Sequence, residues 1–128
     1  MRNRIYYIQV IKERQGYSAT FEEGDLFACT VGETMDELKR NLVEALELGL
    51  DTQGIKEEQF VYEYDLESFF DFYRVINAKA LSERIGMNQS LLAQYIRGKK
   101  KPSPAQINRI LEGVQQIGRE LTEVRFLL

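Results

Sequence analysis

The spacing of apolar residues changes near residue 34, and this change constrains the fold more than any other feature of the sequence. Before it, three short runs at residues 5–11, 17–21 and 26–31 alternate in polarity or are rich in Ile, Tyr and Val. Such runs are typical of β-strands. Glycine-containing turn signals separate them, so we predict an antiparallel meander of three strands.

After residue 34, apolar residues recur at steps of three and four, which is the pattern of an amphipathic helix. Thr34 and Glu37 form a capping-box sequence, in which the Thr34 hydroxyl accepts a hydrogen bond from the Glu37 amide. We expect this helix to end near Asp51 and a fourth strand to occupy residues 60–64. The first half therefore has the predicted order βββαβ, with one helix covering one face of a sheet.

The second half has helical periodicity, and residues with N-capping side chains divide it into four helices. The four capping residues are Asp65, Asn77, Asn88 and Ser103. Gly86 lies between the second and third helices, where a turn requires a positive φ angle. Residues 121–127 alternate weakly in polarity, which leaves an added strand and a frayed helix end both open.

The composition excludes several kinds of site. The chain has no histidine and a single cysteine, Cys29, so Ser-His-Asp triads, His-based metal sites and internal disulfides are absent. Nothing marks a convergent set of carboxylates, and we expect neither catalysis nor a bound metal or cofactor. No apolar run approaches the roughly 20 residues of a transmembrane helix, and the first residues lack a signal-peptide core. We therefore expect a soluble cytoplasmic protein with no membrane partner.

The charge is distributed unevenly along the chain. Residues 1–64 hold seven basic and thirteen acidic side chains, a net charge of −6. Residues 65–128 hold ten basic and seven acidic side chains, a net charge of +3. Charges of opposite sign in the two halves favour two different partners, a basic one for the acidic half and an acidic one for the basic half. The acidic partner expected for the basic half is a polyanion. The alternative is an uneven surface without functional meaning.

Residues 78–97 have the spacing of a helix-turn-helix. The small residue Ser82 stands where two helices would approach closely, and Gly86 follows four positions later at the turn. A plain helical hairpin has the same spacing. The basic segment at residues 97–103 follows directly, however, and clustered positive charge beside such a motif favours DNA binding.

Residues 77–111 resemble the lambda-repressor and Cro-like (Xre-type) helix-turn-helix family, above all at residues 80–88 and 93–103. The resemblance implies a five-helix domain whose first helix runs from Asp65 to Ile76, and a recognition helix over residues 89–97 that enters the major groove. The residues expected to contact DNA are Asn88, Gln89, Ser90, Gln94, Arg97, Lys99, Lys100 and Lys101.

On the family pattern, Gln89, Ser90 and Gln94 occupy base-reading positions, and a glutamine amide can bond adenine N6 and N7 together. The three lysines would contact phosphate, which adds affinity but little specificity. The chain departs from the pattern at three positions that are usually polar. These positions are Ala78, Leu91 and Ile96. The apolar side chains of Leu91 and Ile96 would either contact thymine methyl groups or pack against the first domain.

The first half resembles the HicB antitoxin domain. The matching residues are 17–21, Leu26, Cys29, 32–41 and 44–45. The family's usual Pro-Gly turn is replaced here by Phe27-Ala28. The resemblance implies a truncated RNase H-like fold without nuclease activity over residues 1–64. It also implies a partner, the HicA toxin, which is a small basic ribonuclease with a double-stranded-RNA-binding-like fold.

We expect acidic residues near the strand ends to act as a decoy for the basic RNA-binding surface of that toxin. Solvated surface carboxylates are the simpler alternative for each residue taken singly. The candidate toxin-binding residues are Glu22, Glu23, Asp25 and Glu63.

Together these patterns predict an α+β chain. A βββαβ sheet-plus-helix domain, truncated RNase H-like, spans residues 1–64, and an all-α lambda-repressor-like helix-turn-helix domain spans residues 65–128. The expected function is an antitoxin that masks a HicA-like toxin ribonuclease and represses its own operon by binding operator DNA.

We expect a homodimer or higher oligomer, which uses either the apolar tail or an edge strand. The alternative function is a repressor whose first domain senses a small ligand in a pocket lined by aromatic side chains. Those aromatic residues are Phe21, Tyr62 and Tyr64.

Overall fold

A computed structural model describes residues 4–128 and contains four β-strands and five α-helices. A single 3-10 turn, Glu57–Gln59, precedes the last strand. In chain order the elements are β1 (Tyr6–Lys12), β2 (Tyr17–Glu23), β3 (Leu26–Gly32), α1 (Met35–Gly49), β4 (Phe60–Tyr64), α2 (Leu66–Phe72), α3 (Ala78–Arg84), α4 (Gln89–Ile96) and α5 (Pro104–Leu121).

The four strands form one mixed sheet in the order β3-β2-β1-β4. The first three strands are antiparallel neighbours, as the sequence predicts, with Gln9 opposite Thr20 and Thr20 opposite Cys29. Strand β4 lies parallel to β1, with Tyr6 opposite Phe60, because helix α1 carries the chain back across the sheet. The central position of β1 agrees with the apolar residues on both of its faces.

Helix α1 covers one face of this sheet and forms the core of the first unit. Ile8 and Val10 of β1 and Leu38, Leu42 and Leu46 of α1 are all fully buried. The predicted cap is confirmed, because Thr34 Oγ1 accepts a hydrogen bond of 3.2 Å from the Glu37 amide. The opposite face of the sheet has no helix against it within this unit, since its outward residues on β1 and β3 are exposed.

The chain divides into two compact units, Met1–Asp71 and Phe72–Leu128. In the second unit, helices α3, α4 and α5 surround a small core, to which Leu81, Met87, Leu92 and Ile110 contribute buried side chains. The predicted helix caps are confirmed throughout the second half. Asp65, Asn77, Asn88 and Ser103 each accept a hydrogen bond from a backbone amide three residues later, at 3.0–3.2 Å.

The predicted fold class is wrong. A truncated RNase H-like domain followed by a separate, five-helix lambda-repressor-like domain is not evident. The expected first helix of that domain, α2, instead packs against the ends of β1 and β4. Ser68 of α2 is buried and accepts a hydrogen bond from the Lys12 amide at 2.8 Å, and Phe69 meets Tyr64 edge to face at 5.9 Å. Helix α2 also ends at Phe72, not at residue 76, so α3, α4 and α5 alone make up the helical core of the second unit.

The physical reason for this error lies in the amphipathic pattern of α2. Its apolar positions and its capping residue predict that a helix forms, but they do not specify which surface the helix covers. Of the two alternatives for residues 121–127, the frayed helix end is observed. The Glu123 and Val124 amides still donate to the carbonyls three residues earlier, at 3.1 and 3.3 Å, and residues 124–128 form no helix or strand. Within residues 4–128, no helix is both long enough and apolar enough to cross a bilayer.

Replacing Leu42 with alanine should lower the free energy of unfolding by about 2–5 kcal/mol, since it leaves a cavity in a closely packed core. Chemical denaturation of the full chain measures this decrease. Leu48→Ala is the matched control, because Leu48 lies on the same helix and is 86% exposed. An equal decrease in stability in both variants would contradict the packing described for α1.

Candidate nucleic-acid interface

The turn between α3 and α4 is a Schellman motif centred on Gly86. Gly86 has a φ of 68°, and its amide donates to the Glu83 carbonyl at 3.2 Å. The next amide, of Met87, donates to the Ser82 carbonyl at 2.8 Å, and the Met87 side chain is buried. This pair of hydrogen bonds satisfies the last carbonyls of α3 and sets the direction in which α4 begins.

Helix α5 holds this turn in place from the other side. The Arg109 guanidinium donates to the carbonyl oxygens of Ile85 and Gly86, both at 2.9 Å. Gly113 of α5 lies so close to Ile85 that a Cβ atom at residue 113 would be 2.4 Å from the Ile85 Cγ2 atom. The turn is therefore positioned by contacts that a plain helical hairpin would lack.

A second contact joins the ends of α3 and α5. Arg84 forms an ion pair with Glu120, and Gln116 also donates a hydrogen bond to the Glu120 carboxylate. Hydrogen bonding from Arg84, with a smaller contribution from Gln116, holds the pKa of Glu120 below its usual value. Because Glu120 is exposed to water, this pair orients the two helices but contributes little to stability.

One side of α4 packs on the core and the other presents polar groups. At 100° per residue, the positions predicted to read bases lie within less than half a turn of one another, and the buried Leu92 lies outside that arc. Gln89 and Ser90 are exposed, whereas Gln94 is half-buried. The small side chain of Ala93 lies between them on the same side, so a flat surface can approach this face of the helix.

Asn88, one of the residues predicted to contact DNA, has a structural role in α4. Its Oδ1 atom accepts a hydrogen bond from the Leu91 amide at 3.1 Å, which caps the N-terminus of α4. Leu91 and Ile96 stand at positions that are usually polar and exposed in the resembled family, but here both are half-buried. Ala78 is half-buried as well. Their exposure is thus of the same class as that of Gln94.

A second Schellman motif ties the basic loop to the end of α4. Gly98 has a φ of 75°, and its amide donates to the Tyr95 carbonyl at 3.1 Å. The Lys99 amide donates to the Gln94 carbonyl at 2.9 Å. This motif places the lysine loop, Lys99 to Lys101, immediately beside the last turn of the helix.

The lysine loop and Arg97 are exposed, and none of the ion pairs formed within residues 4–128 involves them.

The division into two units increases the difference in net charge between the two parts of the chain. The first unit holds seven basic and sixteen acidic side chains, a net charge of −9. The second holds ten basic and four acidic side chains, a net charge of +6. The positive potential is therefore concentrated on the unit that contains α4.

The structure brings together only some of the acidic residues predicted to bind a toxin. Glu22 and Glu63 lie on the face of the sheet that α1 does not cover, on β2 and β4, with β1 between them. Asp25 lies in the turn between β2 and β3. Glu23 is paired with Arg4 instead.

Sequence reasoning missed an apolar surface on the same side of the sheet, which we call the open face. Its five apolar side chains are between 40% and 62% exposed. They are Tyr7, Ile11, Phe27, Val31 and Val61. The signal was present in the sequence, since both sides of β1 are apolar and only one helix was predicted to cover the sheet.

The aromatic residues considered for a ligand pocket are packed against other side chains. Phe21 is buried and meets Tyr6 edge to face at 5.4 Å, and Tyr62 meets Phe60 at 6.2 Å. Tyr64 packs against the same core. Their observed role is therefore to fill the space between α1 and the sheet.

Comparison with known proteins does not identify a relative: no family model, no curated protein and no solved structure matches the chain.

Proposed function

We propose that this protein is a DNA-binding transcriptional repressor in which α3 and α4 act as a helix-turn-helix. The observation that carries this proposal is the polar side of α4, with Gln89, Ser90 and Gln94, next to a lysine loop that has no acidic partner within the described residues. An exposed helix with this combination suits the major groove, where side chains reach base edges and lysines reach phosphates.

The two groups of residues have different chemical tasks. A glutamine side chain donates and accepts hydrogen bonds at once, which matches the N6 and N7 atoms of adenine. The lysine loop and Arg97 neutralise phosphate charge and release counterions, so they provide affinity that depends on salt. Because the loop is tied to the last turn of α4, it would contact the backbone next to the bases that α4 reads. The proposed location of the protein is the cytoplasm.

The first unit supports the second part of the proposal, an antitoxin function in which the unit binds a basic protein. A net charge of −9 attracts a protein whose own surface is built to bind RNA. Glu22 and Glu63 lie on the same side of the sheet as the open-face residues, so a partner can meet apolar and acidic groups on one surface. The partner proposed from this chemistry is a small basic toxin ribonuclease, which the first unit would mask.

The double variant Gln89→Ala with Gln94→Ala should lose about 1–3 kcal/mol of discrimination for each base-reading side chain removed, while non-specific binding persists. The preferred sequence is first selected from random duplexes with the wild-type chain. Fluorescence anisotropy then compares that duplex with a scrambled one. Gln53→Ala is the control, because Gln53 is an exposed glutamine of the first unit. An unchanged sequence preference in the double variant would contradict the assignment of α4 as the helix that contacts the bases.

Replacing Lys99, Lys100 and Lys101 with alanine should reduce the slope of log K against log salt by about one for each phosphate that is no longer neutralised. Affinity should fall by a similar factor for the selected and scrambled duplexes, since phosphate contacts carry no sequence information. Lys56→Ala in the first unit is the control and should leave the slope unchanged. A slope that does not move in the triple variant would show that the loop lies away from the DNA.

Charge reversal at Glu22 and Glu63 should weaken binding of the basic partner at least tenfold, since each change places a like charge opposite it. The immobilised full chain captures proteins from the lysate of its native host, and captured small basic proteins are tested for ribonuclease activity. Inhibition of that activity is then titrated with the wild-type chain and with the Glu22→Lys, Glu63→Lys variant. Glu57→Lys with Glu58→Lys is the control for net charge, since these residues precede β4. Equal inhibition by the wild-type chain and both variants would contradict binding at the open face.

A further inference from the structure

Arg109 of α5 binds two consecutive carbonyl groups of the turn between α3 and α4. Its Nε atom donates to the Ile85 carbonyl and its Nη2 atom donates to the Gly86 carbonyl, both at 2.9 Å. Because the guanidinium group is planar and rigid, the two hydrogen bonds fix these two peptide groups relative to each other. The rotation between them is the backbone conformation of Gly86, so Arg109 holds that conformation from outside the turn.

Gly86 needs such a restraint, because a glycine suits the turn but also leaves it flexible. Its φ of 68° lies in a region that glycine adopts without steric cost. For the same reason, glycine populates negative φ values about as readily, and the residue itself does not select one of them. The Schellman hydrogen bonds and the two bonds from Arg109 together select the observed conformation.

The sequence of α5 brings the guanidinium group within reach of the turn. Arg109 and Gly113 are four residues apart and therefore lie on the same face of α5. Because Gly113 has no side chain, Ile85 lies so close that an added Cβ atom would be 2.4 Å from its Cγ2 atom. No ion pair formed within residues 4–128 involves Arg109, so its charge is directed at the carbonyl end of α3, where the helix dipole is negative.

Apolar packing holds α4 on its unit but defines its angle only loosely. Met87 and Leu92 are buried, yet apolar contacts have no directional preference. Hydrogen bonds do have one. A rotation of about 10° at Gly86 would move Gln94, roughly 10 Å further along the chain, by roughly 2 Å. That displacement exceeds the range of about 0.5 Å within which N–H···O distances normally fall.

We propose that Arg109 is a positioning residue for DNA recognition, which sets the angle of α4 through the Ile85 and Gly86 carbonyls and does not contact DNA itself. This inference rests on the proposed function, since α4 must be the helix that contacts the bases. It makes the sequence preference depend on a residue of α5, outside the helix-turn-helix. Loss of the two hydrogen bonds would then lower the preference for one sequence and leave the affinity for other sequences unchanged.

Hydrogen exchange of the arginine side chains tests the contact in the wild-type chain, without DNA. NMR of isotopically labelled protein should show that the Arg109 Nε–H exchanges with water at least about tenfold more slowly than the Arg97 Nε–H. The reason is that Arg109 Nε donates to a carbonyl, whereas Arg97 is exposed. Equal rates for the two groups would overturn the proposal, and this measurement does not depend on whether any variant folds.

The Arg109→Lys variant tests whether the guanidinium group holds the turn. Lysine keeps the positive charge but cannot bind both carbonyls with one planar group. The Gly86 and Met87 amides should therefore exchange about tenfold faster than in the wild type. Arg119→Lys is the matched control, because Arg119 lies on the same helix and donates to the Gln116 side chain. Unchanged rates in the Arg109→Lys variant would overturn the proposal.

Binding of the selected and scrambled duplexes tests the consequence for recognition. In the Arg109→Lys variant, the ratio of the two affinities should fall about tenfold. The affinity for the scrambled duplex and its salt dependence should remain as in the wild type, because the charge is kept. Arg119→Lys should keep the wild-type ratio. An unchanged ratio in the Arg109→Lys variant would overturn the positioning role.

Arg109→Gln distinguishes positioning from a direct contact with phosphate. Because glutamine also lacks the planar guanidinium group, this variant should lose sequence preference as Arg109→Lys does, and its slope of log K against log salt should stay unchanged. A slope reduced by about one in Arg109→Gln, together with wild-type behaviour of Arg109→Lys, would show that the arginine contacts phosphate. That result would overturn the proposal.

A combined variant separates positioning from a general effect on the fold. If Arg109 acts through Gln89 and Gln94, adding Arg109→Lys to the Gln89→Ala, Gln94→Ala variant should lower the remaining sequence preference by less than about twofold. A general loosening of the unit would lower the preference by the same factor in both backgrounds. Equal factors would therefore overturn the positioning role.

The failure of this proposal can be distinguished from the failure of the proposed function. A wild-type chain that selects a DNA sequence, with the same preference in the Arg109→Lys variant, would overturn the positioning role alone. A wild-type chain without any sequence preference would overturn the repressor function and, with it, the role of Arg109 in recognition. Slow exchange of the Arg109 Nε–H would in that case still support the contact with the turn.

Discussion

Each unit of this protein contains an element with two apolar faces and only enough neighbouring structure to cover one of them. In the first unit, α1 buries one face of the sheet through Leu38, Leu42 and Leu46, and the other face remains exposed. In the second unit, α3 and α4 cover one side of α5, and Ile107, Leu111 and Leu121 on its neighbouring side remain 38–64% exposed. Apolar surface of this extent is stabilised by removal from water, so this shortage of covering layers points to contacts with other molecules.

The charge of the two units accounts for the kind of contact that each surface can make. A net charge of −9 on the first unit disfavours nucleic acid and favours a basic protein, whereas +6 on the second favours a polyanion. The proposed DNA-binding and partner-binding surfaces are thus chemically distinct.

Local chemistry made much of the secondary structure predictable. A capping side chain accepts a hydrogen bond from an amide only three residues away, so Thr34, Asn77, Asn88 and Ser103 mark helix starts without reference to the rest of the fold. Gly86 marks a turn for a similar reason, since its backbone angle is a property of one residue. The candidate DNA-contacting residues, by contrast, came from the resemblance to the lambda-repressor and Cro-like family, which implies their positions relative to that turn.

Interactions between residues distant in sequence were not predictable in this way. The pattern of α2 predicted a helix but not its position at the ends of β1 and β4, where Ser68 accepts a hydrogen bond from the Lys12 amide 56 residues away. Likewise, no local signal showed that Glu23 would pair with Arg4, or that Arg109 would hold the Gly86 turn. Nor did any local signal show which glycine of α5 contacts Ile85. Gly113 does, whereas a Cβ atom added at Gly118 would have no atom within 4 Å.

The sequence by itself therefore determined where strands and helices begin, which residues cap them, and which half carries which charge, because short-range hydrogen bonding and composition decide these features. Only the tertiary structure decided the parallel placement of β4, the packing of α2 against the ends of β1 and β4, and which apolar faces remain uncovered. These features depend on the competition of several apolar surfaces for a limited number of partners. That competition is settled by the whole packed unit, and no single segment encodes its outcome.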